Sequence, residues 1–218
     1  MRVYHFTNLE FGLDDLRRRR LKVATINDLN DPFELIGPAS SNRDIRAVFE
    51  MFKRATAVYF GLICFSRNWT NPVQWSHYAD GHRGVCFGFD VPDARLYRVR
   101  YTNRRPALNL GALSGGGAAA MVEFKRMLTT KYSHWRYEDE ERYFVSLSHL
   151  RPRAGLYFLP FSKRMPLKEV IVGHRCELTR NELYSHLGVI TPHAETYKAR
   201  LAFRSFKVVR QRNPKLWS

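Results

Sequence analysis

Trp135, Glu138, Glu140 and Arg142 fall at W-x-x-E-x-E-x-R spacing inside "KYSHWRYEDEERYF", residues 131 to 144, where Glu138 to Glu141 form an unbroken acidic run. Read as a strand, the run puts Glu138, Glu140, Arg142 and Phe144 on one face. Asp139, Glu141, Tyr143 and Val145 take the other. Two carboxylates on one face raise each other's pKa unless a cation lies nearby, and Arg142 on that face supplies one. Such a pair suits a site where one carboxylate binds a substrate hydroxyl while the other polarises a nucleophile. An exposed edge strand of mixed charge has the same pattern, and spacing leaves both readings open.

Other residues could join this chemistry. "YHFTN" sets His5 and Thr7 on one face of a first strand, either lining a cleft or as a satisfied structural pair. "WSHYAD" puts Trp75 and Tyr78 one helical turn apart, a spacing equally suited to aromatic core contacts. Asp31 and Glu34 of "NDPFE", with Glu138 and Glu140, could offer oxygens to magnesium in a metal-dependent nuclease, against the simpler reading of a tight turn. His77 and His82 have no ligand partner at zinc spacing, Ser66 and Ser76 no nucleophile elbow, and "GGG" no phosphate-loop context. No metal is therefore expected.

These residues need elements to hold them. The patterns predict a strand at 2–8, a helix capped by Asn8 and ending in "RRRR", a strand and turn through "LKVATINDLNDPFE", and a helix over 42–57. An apolar strand at 57–66, a helix opened by Pro72 and closed by Gly81, and strands at "GVCFGFDV" and "RLYRVRYTN" follow. The expectation then runs to a glycine-rich loop at 107–118, a helix "AAAMVEFKRMLTTKY", the acidic strand at 138–147 and a mobile segment at 148–163. Last come a strand "PLKEVIVG", a helix "TRNELYSHLGVI" and one closing basic strand "RLAFRSFKVV". The sum is a single α+β domain over residues 1–218, with six to eight strands.

Composition narrows the partners. With 36 Lys and Arg against 20 Asp and Glu, the formal charge is +16. That favours a polyanionic partner, nucleic acid before membrane, over a merely solvated basic surface. Arg18, Arg19, Arg104, Arg105, Lys131 and Arg142 are the candidate nucleic-acid contacts. Three widely spaced cysteines argue against a disulfide framework, and no run reaches membrane-spanning length, so a cytoplasmic location is expected.

The succession "YHFTN … LNDPFE … CFS … QWSHYADGHRGVCFGFD … RYTN … KYSHWRYEDEER … LKEVIVG" resembles domain of unknown function family 2971, over Tyr4 to about Gly173. That family's layout is similar to ADP-ribosyltransferases with a His-Tyr-Glu constellation, and "YHFTN" resembles the opening of DarT-like enzymes that act on DNA. The resemblance implies an ADP-ribosyltransferase-like split β-sheet core with flanking short helices, and NAD as substrate. It implies transfer to nucleic acid or protein, in the setting of a toxin or phage-defence effector with an antitoxin or protein partner. His5 then holds the nicotinamide ribose, Tyr78 stacks on the nicotinamide, Glu140 is catalytic and Glu138 its accessory acid, the order of the two acids staying open. Thr7, Asn30, Ser66, Trp75 and Arg83 complete the implied NAD contacts. The chain departs from the pattern in having no Ser-Thr-Ser triplet and in drawing its aromatic lid from Tyr78. A non-catalytic nucleic-acid-binding module is the rival reading.

Overall fold

The computed structural model describes residues 1–31, 33, 41–107, 109–187 and 194–217. Its elements run β1 (Arg2–Thr7), α1 (Leu9–Arg18), β2 (Arg20–Thr25), α2 (Arg43–Ala57), β3 (Phe60–Ser66), α3 (Pro72–Tyr78), β4 (Val85–Asp90), β5 (Leu96–Arg98) and β6 (Arg100–Thr102). There follow α4 (Leu110–Ser114), α5 (Gly117–Leu128), β7 (Thr130–Tyr132), β8 (Glu140–Ser146), β9 (Tyr157–Pro160), β10 (Leu167–Val172), α6 (Arg180–Leu187), β11 (Glu195–Leu201) and β12 (Val208–Arg210). This is an α+β fold. Its ten-stranded sheet runs β12-β11-β10-β4-β1-β3-β2-β9, with β8 and β5 continuing from β3, and β6–β7 form a separate parallel pair. Because β10–β11 is parallel and its neighbours are antiparallel, the sheet is mixed.

Local chemistry explains the elements near the site. Asn8 caps α1 by accepting from the Phe11 amide, and Arg19, in the left-handed region, ends it after Arg17 and Arg18. Gly12 lets α1 close on the sheet, since a Cβ there would lie 2.4 Å from Val85. Asn71 caps α3 and Pro72 opens it. Asp80, Gly81 and His82, all at positive φ, turn the chain away after it. One core, including Val3, Leu16, Phe65, Phe87 and Val170, fills the sheet face under α1 and α6. Trp75, Cys86 and Ile171 pack the other face, and Ile26, Phe124 and Leu128 form a third cluster.

Several expectations need correction. The glycine-rich segment holds α4 and the start of α5, and α5 stops at Leu128, so that Thr130–Tyr132 form a strand. "RLYRVRYTN" splits at Val99, β5 pairing with β8 and β6 with β7. The segment expected to be mobile contains β9, which pairs with β2. "RLAFRSFKVV" is a hairpin of β11 and β12. Glu138 closes a 3-10 turn (Ser133–Glu138), and Asp139, at φ 48°, separates it from β8. Strand alternation therefore does not govern Glu138. Pro32, Glu34 and Gly188–Ile190 lie outside the described residues.

Candidate active site

The site grows out of a gap in the sheet. β1 pairs with β4 along its whole length but with β3 at Tyr4–Ser66 alone, while β2 meets β3 at Ala24–Leu62 and Thr25–Gly61. Between those points, Ile63 to Phe65 pair with β8 on the far edge of β3, while among the described residues the near edge has no strand partner and opens onto a space. There His5 places its Nδ1 3.0 Å from the Cys64 carbonyl oxygen. A carbonyl only accepts, so Nδ1 carries the hydrogen. Burial lowers the His5 pKa against the opposing pull of that carbonyl, which leaves a neutral ring with an acceptor at Nε2.

A cavity of about 220 Å³ occupies the gap, lined by His5, Asn30, Ser66, Gln74, Tyr78, Lys131, Glu138 and Glu140 among others. The carboxylates meet around one ammonium. Lys131 Nζ donates to Glu138 Oε2 at 2.7 Å and reaches Glu140 Oε2 and Asn30 Oδ1 at 3.5 Å each. It also sits 4.8 Å from the Trp135 ring centroid. Arg142 grips Glu140 with two nitrogens, Nε to Oε1 at 2.8 Å and Nη2 to Oε2 at 3.1 Å, and donates Nη1 to the Leu128 carbonyl. Glu138 Oε1 accepts the Tyr78 hydroxyl, which itself accepts from Asn30 Nδ2 at 2.6 Å.

The two acids differ electrostatically. Burial opposes ionisation of Glu140, but Arg142 and then Lys131 outweigh it and hold its pKa at about 2. Burial raises the Glu138 pKa, Lys131 opposes it, and the nearby Glu140 charge pushes it further up. Glu140 is thus a charge-matched anion, while burial makes Glu138 the more readily protonated of the two acids. Tyr78 stays a phenol, its pKa raised by burial and by Glu138.

The cavity joins His5, Asn30, Ser66, Tyr78, Glu138 and Glu140. Three other expected contacts do not reach it. Thr7 faces α1, where its methyl would lie only 3.2 Å from any Cβ at Gly12. Trp75 is core, fully buried, donating to the Trp69 carbonyl and stacked on His82. Arg83 is exposed beyond α3. Ser66 lines the cavity with its hydroxyl already engaged by Asn68 and Gln74.

The basic candidates divide as well. Arg142, 1% exposed, and Lys131, 4% exposed, cannot meet a polyanion and belong to the buried charge cluster. Arg18 pairs with Asp14, and Arg19 caps α1. Arg104 and Arg105 line a second cavity of about 350 Å³ that shares Lys131 with the first. Sequence reasoning missed Gln74, whose Nε2 lies 3.2 Å or less from Ser66 Oγ and the carbonyls of Asn68, Tyr137 and Glu138. It also missed Tyr101, whose hydroxyl accepts the Glu140 amide. Gln74 had a signal: it lies four residues before Tyr78, on the same helical face.

Among the described residues, which leave out Glu34, the magnesium arrangement does not assemble. Lys131 Nζ stands between the two glutamates, and Arg142 engages both Glu140 oxygens. Asp31 turns Oδ1 to the Phe33 amide and lines the second cavity. Among the described residues, no group of three or more His, Cys, Asp or Glu could hold a metal ion. Nor, among them, is any helix long and apolar enough to cross a membrane. Comparison with protein-family models, curated proteins and solved structures returned no match.

Proposed function

We propose that this chain is an NAD-dependent mono-ADP-ribosyltransferase acting on nucleic acid or protein, and that the cavity takes the nicotinamide and its ribose. The observation carrying this reading is convergence. His5, Tyr78 and the Glu138–Glu140 pair come from separate segments, His5 and Glu140 being 135 positions apart, and meet where β1 parts from β3. A His-Tyr-Glu constellation in a split sheet is what the resemblance to family 2971 implies, and the gap beside β3 supports that kinship.

The residues suit the chemistry. When the bond between nicotinamide nitrogen and ribose C1′ breaks, its electron pair leaves with the ring, which becomes neutral, and positive charge develops at C1′. A fixed carboxylate nearby stabilises that charge. The acceptor then bonds to C1′ and gives up a proton. Glu138, with its raised pKa and hydrogen-bonded Tyr78, suits both parts, while Glu140 holds Lys131 and Arg142 in place. Of the two orders the sequence left open, this one makes Glu138 the catalytic acid, because Arg142 already neutralises Glu140. Nε2 of His5 is an acceptor for a ribose hydroxyl. A cavity of about 220 Å³ is smaller than the roughly 300–1,000 Å³ usual for whole ligands. The pyrophosphate would therefore run outside it, and the adjoining cavity with Arg104 and Arg105 offers the matching charge.

The test is nicotinamide release from NAD by wild type, Glu138→Gln and Glu140→Gln, each with a thermal melt. Glu138→Gln should cut release on the order of a hundred- to a thousand-fold while the melt shows that the variant is still folded. Full release by both variants, or none by wild type with DNA, RNA and protein acceptors, removes the transferase reading.

A further inference from the structure

The β11–β12 hairpin is built unlike the rest of the surface. Its connection, residues 202–207, carries Phe203 and Phe206 at 91% and 98% exposure, the most solvated large apolar side chains among the described residues. The tip is not loose: the Ala202 amide donates to the Lys207 carbonyl and the Lys207 amide to the Ser205 carbonyl, each at 2.9 Å. Arg200 lies 4.7 Å from the Phe203 ring centroid, covering one face of that ring. From Thr196 to the C-terminus the chain has seven Lys and Arg and no Asp or Glu. Arg210 pairs with Glu195, but among the described residues no ion pair holds Arg204, Lys207 or Arg212.

We infer that this hairpin is a docking surface for single-stranded nucleic acid, with Phe203 and Phe206 stacking on bases and Arg204, Lys207 and Arg212 holding phosphates. Stacking on aromatic rings above a cationic track is how proteins bind single strands without reading sequence, and it needs bases free of a duplex. The charges favour this occupant over a lipid surface. Arg204 and Ser205 separate the two rings, so the tip offers no continuous apolar wedge. The cations are mainly guanidinium groups, which fork onto phosphate and stack.

The hairpin is also tied to the cavity. The Val208 amide donates to the Thr70 carbonyl at 2.8 Å, and Thr70 lies four residues after Ser66, which lines the cavity. Four residues of chain span at most about 14 Å, so a strand held at the hairpin base is within reach of the reacting centre. The inference names an acceptor class for the transferase and in that sense rests on that reading, yet binding is measurable without turnover.

The experiment is fluorescence anisotropy with labelled 12-nucleotide oligo-dT and oligo-U, with a 12-base-pair duplex and phosphatidylglycerol vesicles as comparators. Wild type should bind the single strands. Phe203→Ala with Phe206→Ala should weaken binding by about tenfold or more at an unchanged salt slope, from the worth of a stacked base. Arg204→Gln with Arg212→Gln should lower the slope of log affinity against log salt by about 0.7 per cation removed. Both phenylalanines are solvated, so melting should not change. Unaltered oligonucleotide binding in the phenylalanine variant overturns the inference. So does Phe-dependent binding to vesicles without binding to oligonucleotides, or equal, Phe-independent binding to duplex. The phenylalanine variant should keep NAD hydrolysis without nucleic acid. Oligonucleotide binding with no nicotinamide release keeps the hairpin and removes the transferase, and release without oligonucleotide binding does the reverse.

Discussion

The Lys131 cluster and the β11–β12 hairpin both set cations beside aromatic rings, with opposite electrostatic outcomes. At the cavity wall and just behind it, Lys131 and Arg142 are matched by Glu138 and Glu140 at hydrogen-bonding distances and are buried. At the hairpin, Arg204, Lys207 and Arg212 face solvent with no acid in their segment. The +16 charge therefore says nothing about the chemistry of the cavity, which is locally balanced. The excess lies on surfaces such as the hairpin, where it can attract a polyanion at long range. A buried cation positions; an exposed one recruits.

The sharpest way to break that contrast is to remove one cation from each region. Arg142→Leu strands Glu140 and the Leu128 carbonyl in the interior, and should cost about 3–5 kcal/mol of stability in denaturant unfolding. Arg204→Leu should stay within about 0.5 kcal/mol. Equal small losses would mean that the buried network adds nothing that the exposed cations lack.

Lys131→Met tests the site without emptying it of acids. Lys131 pulls the Glu138 pKa down, so without it Glu138 keeps its proton to higher pH. A reaction that needs the Glu138 carboxylate should then show its acid limb displaced to higher pH, with turnover near neutrality down on the order of a hundredfold. An unmoved pH profile would put Glu138 outside the proton inventory.

Salt should separate the regions further. Between 50 and 200 mM salt, oligonucleotide affinity should fall by about tenfold or more, since counterions are released at the exposed cations. The melting difference between wild type and Arg142→Leu should hold across that range, because buried pairs are screened little.

A last contrast sets two buried carboxylates against each other. Asp15, which has no ion pair among the described residues, is pushed up to about 7 by burial and by Asp14 against a weaker pull from Arg20, whereas Glu140 is held at about 2. The folded chain binds the extra Asp15 proton between the ordinary aspartate range and pH 7. Asp15 therefore stabilises below that window, and the benefit is lost as pH rises through it. Glu140 works in reverse, its contribution present above the ordinary glutamate range and lost as pH falls toward 2. Asp15→Asn should gain stability relative to wild type at pH 8 compared with pH 5, by about 2–3 kcal/mol. A pH-independent difference in melting temperature would show that Asp15 does not titrate there.

By itself the sequence determined much of the local structure. Alternation in "RVYHFT", the Asn8 cap, Pro72 and the apolar runs at 60–66 and 85–90 set β1, α1, α3, β3 and β4, because propensity and patterning act over a few neighbouring residues. The shared face of Glu140 and Arg142 was legible for the same reason. Only the tertiary structure decided that Glu138 leaves the strand, since Asp139 turns left-handed within packed surroundings. It also decided that Lys131, from a three-residue strand too short to show a period, lies between both acids, and that Trp75 serves the core while Gln74 faces the cavity. It decided too that the closing basic segment folds back on itself and lifts two phenylalanines into water. Each of these outcomes depends on which distant segments meet. That follows from the sum of weak long-range contacts rather than from any local pattern.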